Sequence, residues 1–215
     1  MRIFVTGGSG FIGSAFIELA KQKGYEIVVF DQKPSSHGTF VYGDILDREH
    51  VSRAMAGCDA VVHLAAMLGV KNTEENYLST LDVNIQGTKN VLEACVKTGV
   101  KKLVFSSSSE VYGNPEKVPI SENDKLSPVS VYGFSKVACE FYVKAYNQAH
   151  GLDYAIVRYF NVYGPAQRND FVIPRMVSRA LGEQPVEVYG DGQQIRAFTH
   201  VSDAARGTLL ALEHG

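Results

Sequence analysis

The chain opens on an apolar run, Ile3-Phe4-Val5, that breaks at the turn Thr6-Gly7-Gly8-Ser9-Gly10. From Phe11 apolar residues recur with helical spacing to about Gly24, and a second run, Ile27-Val28-Val29-Phe30, ends on Asp31. A short strand is expected near Phe40-Val41-Tyr42. Gly43-Asp44-Ile45-Leu46 follows, then a helix from about Asp47, with acids in its first turn, to Gly57. Asp59 to Leu64 reads as the next buried strand, and it ends in the small residues Ala65 and Ala66. From about Glu74 to Thr98 the apolar positions Leu78, Leu81, Val83, Ile85, Val91, Leu92 and Cys95 predict one long helix, stopped near Gly99. Lys102-Leu103-Val104-Phe105 makes a strand that opens onto Ser106-Ser107-Ser108-Ser109-Glu110. A polar loop with Pro115, Pro119 and Pro128 leads to a helix from about Ser130 through Asn147, and Asp153 to Arg158 returns to strand.

Strands alternating with helices in this way predict a parallel sheet covered on both faces: an α/β, doubly wound Rossmann sheet spanning residues 1–165. Beyond Gly164-Pro165 the alternation fails. The pattern there predicts a helix from about Phe171 to Leu181, a short strand at Val186-Glu187-Val188, the turn Gly190-Asp191-Gly192, and a last helix from about Val201. Residues 166–215 read as a small second region that looks unfinished.

Composition narrows the picture mainly by exclusion. At 215 residues and a net charge of −2 the chain can bury a substantial core and shows no basic footprint for nucleic acid. No apolar run approaches a membrane span, and a first strand starting at Met1 leaves no room for a signal peptide, so no membrane association and a cytoplasmic location are expected. Cys58, Cys95 and Cys139 have no paired spacing and read as buried apolar residues, and the six histidines lack ligand spacing, so no metal is expected. His63, ending a strand, and His200, in a turn, read as structural.

The first βαβ unit carries cofactor chemistry. Gly7 permits the tight turn, Gly10 lets the backbone approach a pyrophosphate at the helix N-terminus, and Gly13 allows close helix packing. Asp31 would bind the adenosine ribose hydroxyls and repel a 2′-phosphate, which favours NAD over NADP. A second signal lies on the helix after the serine-rich strand end. Tyr132 and Lys136 are four residues apart and share one helix face. An ammonium beside a phenol favours the phenolate and moves it toward working pH, creating a general base for a sugar or alcohol hydroxyl. The serines from Ser106 sit where ligands meet a doubly wound sheet, so one of their hydroxyls is expected to bond the reacting oxygen.

Taken together, Thr6-Gly-Gly-Ser-Gly-Phe-Ile-Gly13, Gly43-Asp44-Ile45, His63-Leu-Ala-Ala66, Asn84-Ile-Gln-Gly-Thr88, Ser106-Ser-Ser-Ser-Glu-Val-Tyr-Gly113, Tyr132-Gly-Phe-Ser-Lys136, Arg158-Tyr-Phe-Asn-Val-Tyr-Gly-Pro165 and Arg196-Ala-Phe-Thr-His-Val201 span nearly the whole chain. In that order they resemble the extended short-chain dehydrogenase/reductases of the NAD-dependent nucleotide-sugar epimerase/dehydratase family. The resemblance implies that Phe11 and Ile12 lie along the pyrophosphate, Asp44 and Ile45 around the adenine, and Leu64, Ala65, Ala66 and Asn84 along the cofactor. It implies that Ser108 and Tyr132 meet the substrate C4 hydroxyl, that Lys136 also binds the nicotinamide ribose, and that Phe160 touches the nicotinamide end. Asn161 and Arg196 would meet the substrate, Arg196 through its diphosphate.

The implied reaction begins with Tyr132 taking the C4 hydroxyl proton while hydride leaves C4 for NAD⁺, giving a 4-keto sugar. A 4-epimerase needs no further acid or base, whereas a 4,6-dehydratase needs both, and a decarboxylase starts from a C6 carboxylate. Glu110 is the candidate for such an extra role. A nucleotide-sugar 4-epimerase of UDP-hexose type is expected first, a dehydratase or UDP-glucuronate decarboxylase using Glu110 next, and a catalytically weak NAD-binding protein as a different class. Two features depart from the family: Phe171 stands where many members have asparagine, and the chain stops short of the usual length, so the resemblance implies that residues 166–215 are a small, incomplete C-terminal substrate-binding region. The resemblance also implies a homodimer through helices near residues 75–98 and 130–149.

Overall fold

In the computed structural model, which describes residues 1–68, 73, 75–188 and 190–215, the sheet is assembled from strands with little polarity of their own. These are β1 (Arg2–Thr6), β2 (Glu26–Asp31), β3 (Thr39–Tyr42), β4 (Ala60–His63), β5 (Lys102–Ser108) and β6 (Asp153–Tyr159). They pair in parallel in the order β3-β2-β1-β4-β5-β6. Central strands buried on both faces must be apolar on both, which is why β1, β2 and β4 read as continuous runs rather than alternating ones.

The helices are α1 (Phe11–Gln22), α2 (Arg48–Met55), α3 (Tyr77–Leu81), α4 (Gly87–Thr98), α5 (Val131–His150), α6 (Val172–Leu181) and α7 (Val201–His214). Alternate residues of one strand serve opposite faces of the sheet. Phe4, Val28, Phe30, Val61, Leu103 and Phe105 pack with Val51 and Met55 of α2, Val91, Leu92 and Cys95 of α4, and Cys139 and Val143 of α5. Ile3, Val5, Val29, Val62 and Val104 pack with Phe16, Ile17 and Ala20 of α1 and with Ala205, Leu209 and Leu212 of α7. The last helix thus covers the same sheet face as the first.

The alternation read from the sequence matches this sheet, and three local expectations are corrected. The single helix expected over 74–98 is interrupted: a wide π turn, Asp82–Gln86, separates α3 from α4, and the expected start at Glu74 lies outside the described residues. The strand expected at Val186-Glu187-Val188 is not formed, because Val186 and Val188 face solvent and pair with no strand among the described residues. A two-stranded parallel sheet forms instead from β7 (Val162–Tyr163) and β8 (Thr199–His200), both too short to leave a periodic signal. Among the described residues no helix is long and apolar enough to cross a membrane. The three cysteines are free and buried, and burial pushes each thiol up.

Leu103 is fully buried between β4 and β6 and touches the helical layer. Leu103→Ala should lower the unfolding free energy by about 3 kcal/mol, read as a lower urea midpoint at unchanged slope.

Candidate active site

The end of β1 turns at Gly7, which takes φ +70°, and a Cβ there would lie 2.6 Å from the Ala65 nitrogen. A Cβ on Gly13 would lie 2.4 Å from the Gly7 carbonyl oxygen, so these two glycines are fixed by backbone meeting backbone. Gly13 therefore packs on the turn itself. Gly10 differs: a Cβ there would meet only the Gly7 oxygen, at 3.1 Å, so its outer side is open. Gly10 also caps α1 with no side-chain bond, and no acid stands in the first turn, leaving the N-terminal N–H groups and their partial positive charge directed outward. Asp31 ends β2 beside this turn and accepts from the amides of Ser9, at 3.0 Å, and Lys33, at 2.9 Å. Asp44 is placed next to it by Gln32, whose amide donates to it at 2.8 Å. Ile45 is buried against Gly87. These residues fit a dinucleotide: an open glycine at a helix N-terminus for the pyrophosphate, and an acid at the end of the second strand for ribose hydroxyls.

Leu64, Ala65 and Ala66 leave β4 at the same edge. Behind them runs a directed chain of hydrogen bonds. Thr88 donates its one hydroxyl proton to the Asn84 carbonyl at 2.6 Å, so His63 Nε2, 3.0 Å from Thr88 Oγ1, must be the donor there. His63 Nδ1 is then the acceptor, and Thr6 donates to it at 2.6 Å. Both ring nitrogens are satisfied with the ring neutral, and burial pulls His63 down to about 3, with the Lys136 charge adding to it. His63 is structural, as its position suggested. The chain fixes Asn84, carried on the π turn, whose amide donates to Ser135 Oγ at 3.0 Å and to the Met67 carbonyl at 3.1 Å.

At the end of β5, Ser108 lies near enough to the Tyr132 hydroxyl to favour its ionised form, and it accepts from the Glu110 amide at 3.2 Å. Ser130 caps α5 by accepting from the Gly133 amide at 3.0 Å, and its hydroxyl donates to Glu110 at 2.6 Å. Lys136 is buried, donates to the Ser106 carbonyl at 2.7 Å, and lies 5.7 Å from the centre of the Tyr132 ring. The expected effect of Lys136 on Tyr132 needs correction. Burial, with the Glu110 charge second, holds the phenol well above its usual value, against the opposing influence of Ser108. Burial likewise draws Lys136 down to about 8.

Phe160 follows β6 and stacks at a tilt on Tyr112, with ring centres 6.3 Å apart. The Asn161 amide donates to the Ala197 carbonyl at 2.9 Å. Arg196 is exposed and donates to its neighbour Ile195, so the structure does not join it to Ser108 or Tyr132. Phe171 caps α6 with backbone only. Sequence reasoning missed three polar residues here: Ser135, which donates to the Tyr132 carbonyl at 2.7 Å, and the pair Glu140 and Arg158. A signal for Glu140 was present, since an acid one turn after Lys136 falls on the same buried face.

The profile described as "NAD dependent epimerase/dehydratase family" matches residues 3–215. A putative UDP-glucose 4-epimerase of Methanocaldococcus jannaschii is 37% identical over 222 residues, covering 98% of this chain and 73% of its own length. A UDP-N-acetyl-alpha-D-glucosaminuronate decarboxylase of Bacillus cytotoxicus is 37% identical over 230 residues, covering 99% and 71%. Among solved structures, the UDP-glucose 4-epimerase of Thermotoga maritima with UDP-glucose superposes with a TM-score of 0.96 at 34% identity, covering 100% of this chain and 74% of that one.

Burial of neutral His63 sets a pH dependence. Below about 6.5 the unfolded chain takes a proton on this ring that the folded protein refuses until about 3, so stability falls as pH drops through that window. The His63 contribution should approach about 1.4 kcal/mol per pH unit, and His63→Gln should flatten the slope of unfolding free energy against pH.

Proposed function

From its membership of the NAD dependent epimerase/dehydratase family, we propose that this protein is an NAD-dependent 4-epimerase of nucleotide-diphosphate hexoses, of UDP-hexose type. The observation that carries the reading is that Ser108, at the end of β5, and Lys136, 5.7 Å from the centre of the Tyr132 ring, lie with Tyr132 at the carboxyl edge of the sheet, the edge at which Gly10 opens after β1. When bound, NAD⁺ supplies a reversible hydride acceptor for C4 and brings a positive charge into the site. Gly10, Phe11 and Ile12 would hold its pyrophosphate, Asp31 its ribose, Asp44 and Ile45 its adenine, and Leu64, Ala65, Ala66, Asn84 and Phe160 the remainder.

Tyr132 accepts the proton of the C4 hydroxyl and returns it to the same oxygen after the 4-keto sugar has turned over, the inversion at C4 coming from the return of hydride to its other face. Its phenol is too basic a group to ionise unaided at neutral pH, so the ammonium of Lys136 has to offset burial there. Ser108, beside the phenol, orients the C4 oxygen. Asn161 and Arg196 would meet the sugar and its diphosphate. Glu110 favours the epimerase over the lyases, since one of its oxygens is held by Ser130, the residue that caps α5. A dehydratase or decarboxylase would need Glu110 as an acid or base, and its exposure at the strand end keeps that second reading testable.

Purified protein incubated with NAD⁺ and UDP-, GDP- or dTDP-hexoses or UDP-glucuronate, followed by NMR, should yield the C4 epimer. Tyr132→Phe should slow turnover about 10²- to 10⁴-fold with NAD affinity unchanged within a few-fold. A 4-keto-6-deoxy sugar or a pentose would assign Glu110 the lyase role instead, and no turnover by NAD-loaded protein would leave a binding function. The reading extends to a homodimer. Phe134 and Phe141 of α5 are 55% and 64% exposed, and Tyr77 and Leu78 of α3 are exposed as well. Light scattering at micromolar concentration should give twice the monomer mass.

A further inference from the structure

Behind Tyr132 and Lys136 lies a buried ion pair. Residues 132, 136 and 140 are spaced by about one turn of α5, so all share the face turned to the sheet. Glu140 is fully buried there. One carboxylate oxygen accepts from Ser107 Oγ at 2.6 Å and Arg158 Nε at 2.8 Å, and the other accepts from the Arg158 terminal nitrogen at 2.7 Å. Arg158 also donates to the Tyr112 hydroxyl at 2.7 Å and the Glu122 carbonyl at 2.8 Å. Burial pushes the Glu140 carboxyl up, yet the bonds from Arg158 and Ser107 outweigh it and hold the group below its usual value.

Stability alone does not account for this arrangement. Two charges taken out of water lose solvation that their attraction only partly returns, and a well-packed apolar pair of similar volume is often as stable. A two-pronged guanidinium–carboxylate contact does what an apolar contact does not: it fixes direction as well as distance. Ser107 lies directly before Ser108 on β5, and Arg158 is its register partner on β6, one residue before Tyr159 and two before Phe160. With Lys136 bonded to Ser106, α5 is tied to β5 at successive residues.

We propose that Glu140 is a positioning residue, locking α5 through Ser107 and Arg158 to the ends of β5 and β6 so that Tyr132 and Lys136 meet Ser108 in one geometry. The reaction this serves is the 4-epimerase reading above, whereas the locking itself does not depend on it. Glu140 acts on Lys136 by charge as well. The groups around Lys136 are Tyr132, Cys139 and Glu140 from α5, neutral His63 from β4, and the Phe105 ring and Ser106 carbonyl from β5. Of the charges acting on the ammonium, Glu140 favours it against burial.

The test compares Glu140→Gln with the apolar double variant Glu140→Leu, Arg158→Met. It measures kcat and KM for the epimerised UDP-hexose, the thermal midpoint, and the NMR titration of the Lys136 ammonium. The double variant is expected to regain the parent's midpoint within a few degrees while kcat stays at least about tenfold down and KM within about threefold. In Glu140→Gln the Lys136 titration should move below the parent's, about 8, because a negative charge is gone and the Arg158 charge is left unanswered. Were the double variant not to fold, Ser107→Ala removes a single hydrogen bond and is expected to lower kcat several-fold at unchanged midpoint. A stable double variant, or in its place Ser107→Ala, with the parent's kcat would overturn the proposal, as would an unmoved Lys136 titration in Glu140→Gln. A parent protein that turns over no sugar while the Lys136 titration moves as stated would sink the epimerase reading and leave the positioning role supported.

Discussion

How closely one backbone can approach another at the end of β1 governs this molecule. The Gly7 amide bonds to the Phe30 carbonyl at 3.1 Å and the Leu64 amide to the Thr6 carbonyl at 3.1 Å, so β2 and β4 are drawn in on either side of the turn. A side chain at Gly7 would strike Leu64 and Ala65, and one at Gly13 would strike the turn. With these two positions bare, α1 starts directly above the point where the sheet order reverses between β1 and β4. The site follows from that placement. The open N-terminus faces outward, Asp31 comes alongside, and β5 brings its serines to the same edge.

The chemistry at that edge is set by a contest between burial and charge. Burial holds the Tyr132 phenol well above its usual value and draws Lys136 down to about 8, so it works against the ionised form of both groups. What opposes burial is local: Ser108 beside the phenol, and Glu140 one turn beyond Lys136. The ionisation of Lys136 thus depends in part on Glu140, a carboxylate fully buried behind the pair.

Most of the sheet and its edge were legible because their signals are local in sequence. A glycine-rich turn between an apolar run and a helical period, or a tyrosine and lysine four apart, carries its meaning within a few residues. Helical spacing placed Glu140 on the face of Lys136, but its partner Arg158 sits on a different element and is joined to it only by folding, so no periodicity announced the pair. The π turn around Asn84 keeps the apolar spacing of its neighbours and reads as uninterrupted helix. Val186 and Val188 show the reverse failure, since a strand is made by its partner, and a β-branched run without one stays a loop. How far burial raises the Tyr132 phenol was not legible for a related reason: spacing reports only that two side chains share a face.

The return of α7 to the face already occupied by α1 bears on the order of events during synthesis. Ile3, Val5, Val29, Val62 and Val104 line a surface that α1 covers only in part and that Ala205, Leu209 and Leu212 complete. A nascent chain that has made every strand of the large sheet still presents this apolar strip until the helix at 201–214 has left the ribosome. Contacts between residues as far apart in sequence as Ile3 and Leu212 raise contact order and slow folding. Until α7 docks, the strip is exposed apolar surface of the kind that makes incomplete folds prone to aggregate.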